Sequence, residues 1–305
     1  MRKSTLSLAI IALALPFLAA APAQALDPRT WVSGTGDDAN PCSRTAPCKT
    51  FAGALAKTAA GGEINCLDPG SFGRADIRKA ITISCEAGTA GTFGIIINAA
   101  ATDVVTLRGL DIDGQGTGVI GIGILAAKAV HVEKCTIRNM HAPDGSAAGI
   151  FLGFPNPSTV FLFVTDTVIS DNDNGVALES SGGFKVASLK NVTITGSTSD
   201  GLRLPSINVF VNVTKSIISG NGGSAVNLLT SSTTVNIDRS TIANNTAALN
   251  AAASGSTIRI SGNNIYNNTT GFSIASGAQI QTDSRNNTGG SNGGATIPNA
   301  PLTKN

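Results

Sequence analysis

The sequence predicts an all-β solenoid, a single-stranded parallel β-helix with three strands per rung. Three observations carry that prediction. Short alternating runs recur after residue 100, from Val105-Thr106-Leu107 and Val130-His131-Val132 through Val211-Asn212-Val213 to Ile258-Arg259-Ile260. Each run is followed by one isoleucine of a column, Ile112, Ile137, Ile169, Ile194, Ile218, Ile242 and Ile265, spaced by 25, 32, 25, 24, 24 and 23 residues. A third strand, usually led by glycine, closes every repeat, as in Gly149-Ile150-Phe151-Leu152 and Gly201-Leu202-Arg203-Leu204. Alternation with period two marks strands, and a fixed repeat of this length marks stacked coils. The leucine consensus of a horseshoe and the helical periodicity of ankyrin-like arrays are both missing.

The elements follow in order. Residues 1–25 read as a signal peptide, with Arg2 and Lys3, an apolar run from Leu6 to Leu15, and a small-x-small site at Ala23-Gln24-Ala25. Residues 26–62 supply an opening strand, a disulfide loop and a capping helix. That helix is expected to start at an N-cap, Thr50, to run through Phe51, Ala54, Leu55 and Ala59, and to stop at Gly61-Gly62. Residues 63–284 form the β-helix, about nine rungs counting two short ones near Ile64 and Ile81. Residues 285–305, rich in Asn and Gly, form a C-terminal cover or partly disordered tail. Three residues beyond the isoleucine column stand Asn172, Asn221, Asn245 and Asn268, expected outside the bends, where asparagine tolerates left-handed geometry and bonds along the stack.

Composition narrows the partners. The chain carries 21 Lys and Arg against 19 Asp and Glu, and without Arg2 and Lys3 the balance is zero. Nucleic-acid binding needs a basic footprint, so it is not expected. No stretch after the leader is apolar enough to span a bilayer, so the mature chain is expected to be secreted or periplasmic and free of the membrane. In that compartment disulfides form, and Cys42 with Cys48 and Cys66 with Cys85 are the expected pairs. A zinc site would need paired Cys-x-x-Cys or nearby His. Cys135 aligns with Leu110, Val192 and Ser216 in an inward column and reads as a small buried hydrophobe.

Candidate functional residues lie outward on the glycine-led strand: Gly123, Phe151, Ala177, Arg203, Asn227, Asn250 and Ser273. Asp173, Asp200 and Glu179 are placed around Arg203 from neighbouring rungs. Arg203, Glu179, Asn227 and Phe151 are the candidates for glycan contact. Asp173, Asp200 and Arg203 are the candidates for metal binding, base and charge stabilisation if the protein is a lyase or hydrolase. A cross-rung ion-pair network is the plainer reading of the same group. No cofactor is implied, and calcium only under the lyase alternative. Asp171-Asn172-Asp173-Asn174-Gly175 departs from an EF-hand loop, with Gly fifth rather than sixth and no Glu at the twelfth place. His131 is outward beside Phe163, His141 lies in a loop, and no triad spacing is present. Phe161, Phe163 and Phe210 share outward phases, a stripe suited to sugar stacking, to self-association or to cover by the inserted loop around Gly153–Pro157.

The stretches Trp31-Val32-Ser33-Gly34-Thr35-Gly36-Asp37-Asp38-Ala39-Asn40-Pro41, Ala46-Pro47-Cys48-Lys49-Thr50-Phe51, Ala60-Gly61-Gly62-Glu63-Ile64 and Asp68-Pro69-Gly70-Ser71-Phe72 resemble the N-terminal segment of right-handed parallel β-helix proteins of the pectate-lyase-like superfamily, most closely its small exported bacterial repeat proteins. The resemblance implies a right-handed coil. Members of the superfamily include polysaccharide lyases, hydrolases, epimerases, adhesins and phage tailspikes, and the active ones bind long glycans along the outside of a strand stack. The Asp-Pro-His-Asp of the epimerases, the Asp, Gly-His-Gly and Arg-x-Lys set of the hydrolases, and the calcium-binding Asp cluster with Lys base of the lyases have no counterparts that align here. The expectation is an exported protein that associates with extracellular or envelope polysaccharide without an identifiable catalytic centre. The alternatives are a lyase or hydrolase of acidic glycans and a structural or adhesive module.

Overall fold

A computed structural model describes residues 26–85, 90–92, 94–153, 158–180, 182–291 and 298–302. The expected signal peptide and the inserted residues 154–157 lie outside the described residues. Three parallel sheets of 12, 10 and 9 strands stack coil upon coil. One coil runs through Ala129–Glu133 in the first sheet, Thr136–Met140 in the second and Ala148–Leu152 in the third, then returns to the first at Val160–Thr165. The isoleucine column pairs residue to residue along the second sheet, and every member is buried. Like side chains therefore stack at the spacing between strands, about 4.8 Å, which fills the interior without large voids.

Both bends around the second sheet are built on left-handed residues. Between the first and second sheets these are Gly109, Lys134, Asp166, Asn191, Lys215, Arg239 and Gly262; between the second and third they are Asn139, Asp171, Gly196, Gly220, Asn244 and Asn267. The next residue then turns inward. This corrects the expectation for Asn172, Asn221, Asn245 and Asn268: they follow the left-handed residue and are buried inside the bend. The physical reason is the turn backbone itself, whose N–H groups point inward and need acceptors. Met140 N donates to Asn172 Oδ1 at 3.0 Å, Ser197 N to Asn221 Oδ1 at 3.0 Å, Asn221 N to Asn245 Oδ1 at 3.1 Å and Asn245 N to Asn268 Oδ1 at 3.0 Å. The one break is Ser197, whose buried hydroxyl makes no hydrogen bond. The other bend uses Thr167, Ser216 and Ser240, then Asn263 and Asn286, each accepting from the rung before.

Cys135 belongs to that inner row. Its thiol donates to Glu133 O at 3.3 Å, and burial pushes it up to about 11. The glycines that lead the third strand sit where neighbouring coils approach closely. A Cβ on Gly149 would stand 2.8 Å from Gly175 O, and one on Gly201 2.8 Å from Ala225 O.

The first end is closed by helix α1, Phe51–Lys57, and by the disulfides Cys42–Cys48 and Cys66–Cys85. Thr50 caps α1 by accepting from Gly53 N at 3.0 Å, and Asp38 accepts from Lys49 N, Thr50 N and Thr50 Oγ1. Phe51 packs on Phe72 with ring centroids 5.2 Å apart. The helix ends earlier than expected, because Thr58 stops it: its N–H and hydroxyl both return to Ala54 O. Ala59 and Gly61-Gly62 lie instead in the strand Thr58–Cys66, where Gly62 lets the backbone pass close to Pro28 O. At the other end Asn287–Gly289 extends the second sheet and Ala300–Pro301 the first. Among the described residues no helix is long and apolar enough to cross a membrane. The two disulfides point to an oxidising compartment outside the cytoplasm.

Candidate functional site

The outward row of the third sheet is continuous and in register: Asp76, Ile96, Gly123, Phe151, Ala177, Arg203, Asn227, Asn250 and Ser273. Ala177, only 5% exposed, is the small residue between Phe151 and Arg203 in this row. Those two stand two rungs apart, about 10 Å. The ring of Phe151 lies over Gly153, where a Cβ would meet it at 2.6 Å.

The structure brings Arg203, Asp200 and Asn227 together. Asp200 is buried in the bend before the strand that carries Arg203, and Arg203 NH1 lies 3.8 Å from its Oδ2. Asn227 Nδ2 donates to the same oxygen at 2.7 Å and Ser224 N to Oδ1 at 2.8 Å. Asn250 Nδ2 then donates to Asn227 Oδ1 at 3.0 Å. Asp200 thus fixes an outward strip of donors and acceptors over three rungs, with the Arg203 side chain 40% exposed.

Asp173 has different partners. Its Oδ1 lies 2.8 Å from His141 Nδ1 and accepts from Thr198 Oγ1 at 3.0 Å; its Oδ2 accepts from Ala142 N at 2.8 Å and Ala147 N at 3.3 Å. Burial pushes this carboxyl up, but the Ala142 amide, His141, Thr198 and the Ala147 amide together outweigh it and hold it below the usual carboxylate range. An ionised carboxylate only accepts, so Nδ1 of the partly exposed imidazole is the donor in this pair. Asp173 also closes the loop 141–147 that lengthens the 32-residue rung. His141 is the residue that sequence reasoning missed. Its partner is 32 positions away across the irregular rung, and no spacing signal connects them.

Glu179 follows the third strand, with its N–H on Leu152 O, and makes no ion pair among the described residues. Calcium does not fit these carboxylates, since the oxygens of Asp173 and Asp200 already face N–H and O–H donors. No group of three or more His, Cys, Asp or Glu able to hold a metal occurs among the described residues.

A different face, on the first sheet, carries Phe161, Val186 and Phe210 in one column. Phe161, Phe163 and Phe210 remain between 37% and 40% exposed. His131 stacks on Phe163 with centroids 4.8 Å apart, and Phe184 tilts against Phe210 at 5.8 Å.

Comparison with known proteins agrees with the fold. A family model described as the right handed beta helix region matches residues 120–299. A crystal structure of the pectate lyase Pel9A superposes with a TM-score of 0.65 at 15% identity, covering 85% of this chain and 75% of that one. A rhamnogalacturonan lyase gives a TM-score of 0.49 at 13% identity, covering 78% and 74%. No curated protein matches the chain in sequence.

Proposed function

We propose, from the premise that the chain belongs to the right-handed β-helix family, that it is exported and binds acidic polysaccharide along the outer row of its third sheet. One observation carries this reading: Arg203 pairs with Asp200 at 3.8 Å, stands next to the small Ala177 and heads the amide strip Asn227–Asn250. A sugar ring lying over Ala177 would face Phe151 on one side and Arg203 on the other. Arginine pairs with carboxylate through charge-assisted bonds, which selects acidic over neutral units. The fold shared with a pectate lyase and the disulfides of an oxidising compartment support the same reading.

The test is co-sedimentation of the mature protein with acidic and neutral polysaccharides, with and without calcium, while following unsaturated-uronate absorbance and reducing ends. The expected result is binding of the acidic polymer that Arg203→Ala weakens about tenfold or more. Equal binding by Arg203→Ala would remove the reading. The second reading, an enzyme acting on acidic glycan, is favoured by the His141–Asp173 pair, an oriented imidazole able to accept a proton. It requires product formation that His141→Ala abolishes.

A further inference from the structure

The first end of the third sheet carries a concave site. Helix α1 crosses the edge strand Ala75–Ile77 there and leaves a cavity of about 340 Å³. Its floor is apolar, made by Ala52, Leu55 and Ala56 of α1; its wall holds Arg74, Arg78 and Lys79, with Asp76 as the one carboxylate. The three cations are not equivalent. Arg74 gives its Nε to Asp76, at 3.0 Å, and its terminal guanidinium nitrogens have no partner among the described residues. Lys79 Nζ is anchored on Leu55 O and Thr58 O, which uses two of its three N–H donors and fixes the ammonium at the cavity wall. Arg78 is exposed and has no side-chain partner among the described residues. Three positive charges against one negative leave the cavity cationic. A volume of this size suits a compact organic ligand, and an apolar floor with few convergent polar groups is how such sites are built.

A second cavity of about 290 Å³ adjoins it through Arg74 and is lined further by Gly94, Ile96, Val119 and Ile120. Ile96 belongs to the outward row that continues through Gly123 to Phe151. The basic cavity therefore opens onto the same track as Arg203, several rungs away.

We propose that the cavity between α1 and the strand Ala75–Ile77 is a separate subsite for one anionic sugar unit, its carboxylate or sulfate held by Arg78 with Arg74 and Lys79, and its apolar flank on Leu55 and Ala56. This deepens the reading above and rests on it for the class of ligand. Charge complementarity selects the anion, and the alanine and leucine floor selects a ligand with a carbon face over a bare ion. A glycan bound at this subsite would be fixed in direction along the track, with its acidic unit at the α1 end.

The test is an amide NMR titration of the mature protein with D-glucuronate, D-glucose and inorganic sulfate, repeated on Arg78→Ala and on Arg259→Ala, a substitution on the first sheet. The expected result is a set of shifts at residues 52–56 and 74–79 with glucuronate, affinity at least tenfold weaker for glucose, and at least tenfold loss in Arg78→Ala with no change in Arg259→Ala. Circular dichroism of Arg78→Ala checks that its fold is intact, and Arg78→Lys is expected to recover part of the binding. Absent shifts with glucuronate would overturn the proposal, as would shifts that sulfate reproduces at equal affinity or that survive Arg78→Ala. Acidic polysaccharide failing to co-sediment, while glucuronate still shifts residues 74–79, would remove the Arg203 reading and leave this subsite. The reverse pattern would remove the subsite alone.

Discussion

Replacing Ser197 by asparagine should stabilise the protein. In the bend between the second and third sheets each asparagine accepts through Oδ1 from a backbone N–H of the rung before, and donates through Nδ2 to a carbonyl or amide oxygen of the stack. Ser197 is too short to reach Asn172, and its hydroxyl is buried without a partner. Room for the longer amide follows by analogy: Gly149 and Gly201 face the amides of Asn172 and Asn221 from the rung before, and Gly175 holds the same place in the rung before Ser197. The substitution removes one unsatisfied hydroxyl and adds hydrogen bonds toward Asn172 N and Ile169 O. After the cost of fixing an amide rotamer, the net gain should be about 1–2 kcal/mol. The reciprocal change, Asn245→Ala, deletes an amide that bonds Asn221, Ile218, Ala243 and Asn268. Two buried donors of Asn221 are then orphaned, at a cost of about 3–5 kcal/mol. Urea titration with an unchanged slope would read both values, and the midpoints should move in opposite directions. A destabilised Ser197→Asn, or an Asn245→Ala variant within 1 kcal/mol of the parent, would refute the role assigned to the inward ladder.

Two further outcomes follow from the ionisable groups. Asp173 is held below its ordinary value by the hydrogen bonds it receives, so its contribution is fully present above the unfolded pKa, near 4, and is lost as pH falls through the lower folded value; urea midpoints should drop on that acid limb, and Asp173→Asn should flatten the drop. The Cys135 thiol, pushed up to about 11 by burial, should stay unmodified by a thiol reagent at pH 8 in the folded protein and react once in denaturant; labelling of the native state at the denatured rate would contradict its burial.

The outward row of the third sheet was legible because strand side chains alternate strictly and the rungs stay in register, so Phe151, Ala177, Arg203 and Asn227 could be aligned by counting. The same counting placed the isoleucine column and Cys135 inside. It failed at Asn172, Asn221, Asn245 and Asn268, where alternation stops. A left-handed residue resets the direction of the next side chain, and polarity alone suggested solvent, whereas the nearest unsatisfied groups were backbone amides inside the turn. Asp173 and Asp200 look equivalent in sequence, each in the bend before a glycine-led strand. Their partners separate them: Asp173 gathers the inserted loop and His141, while Asp200 serves Arg203 and Asn227. Apart from Arg203, three positions after Asp200, such partners come from residues 24 to 32 positions away, and only the coil geometry selects among them.

Register along the stack also makes the molecule a ruler. The regular rungs meet the next through the same kinds of partner, as the Asn221, Asn245 and Asn268 contacts show. Excising or duplicating one whole repeat therefore leaves each residue with neighbours of the kind it already has. What changes is length, by about 4.8 Å per repeat. A repeat removed beyond Asn250 would leave the span from Arg78 to Arg203 untouched. One removed between Phe151 and Arg203 would shorten it by a single sugar-sized step. The distance between two surface features is thus encoded as an integer, independent of the side chains that form the features themselves.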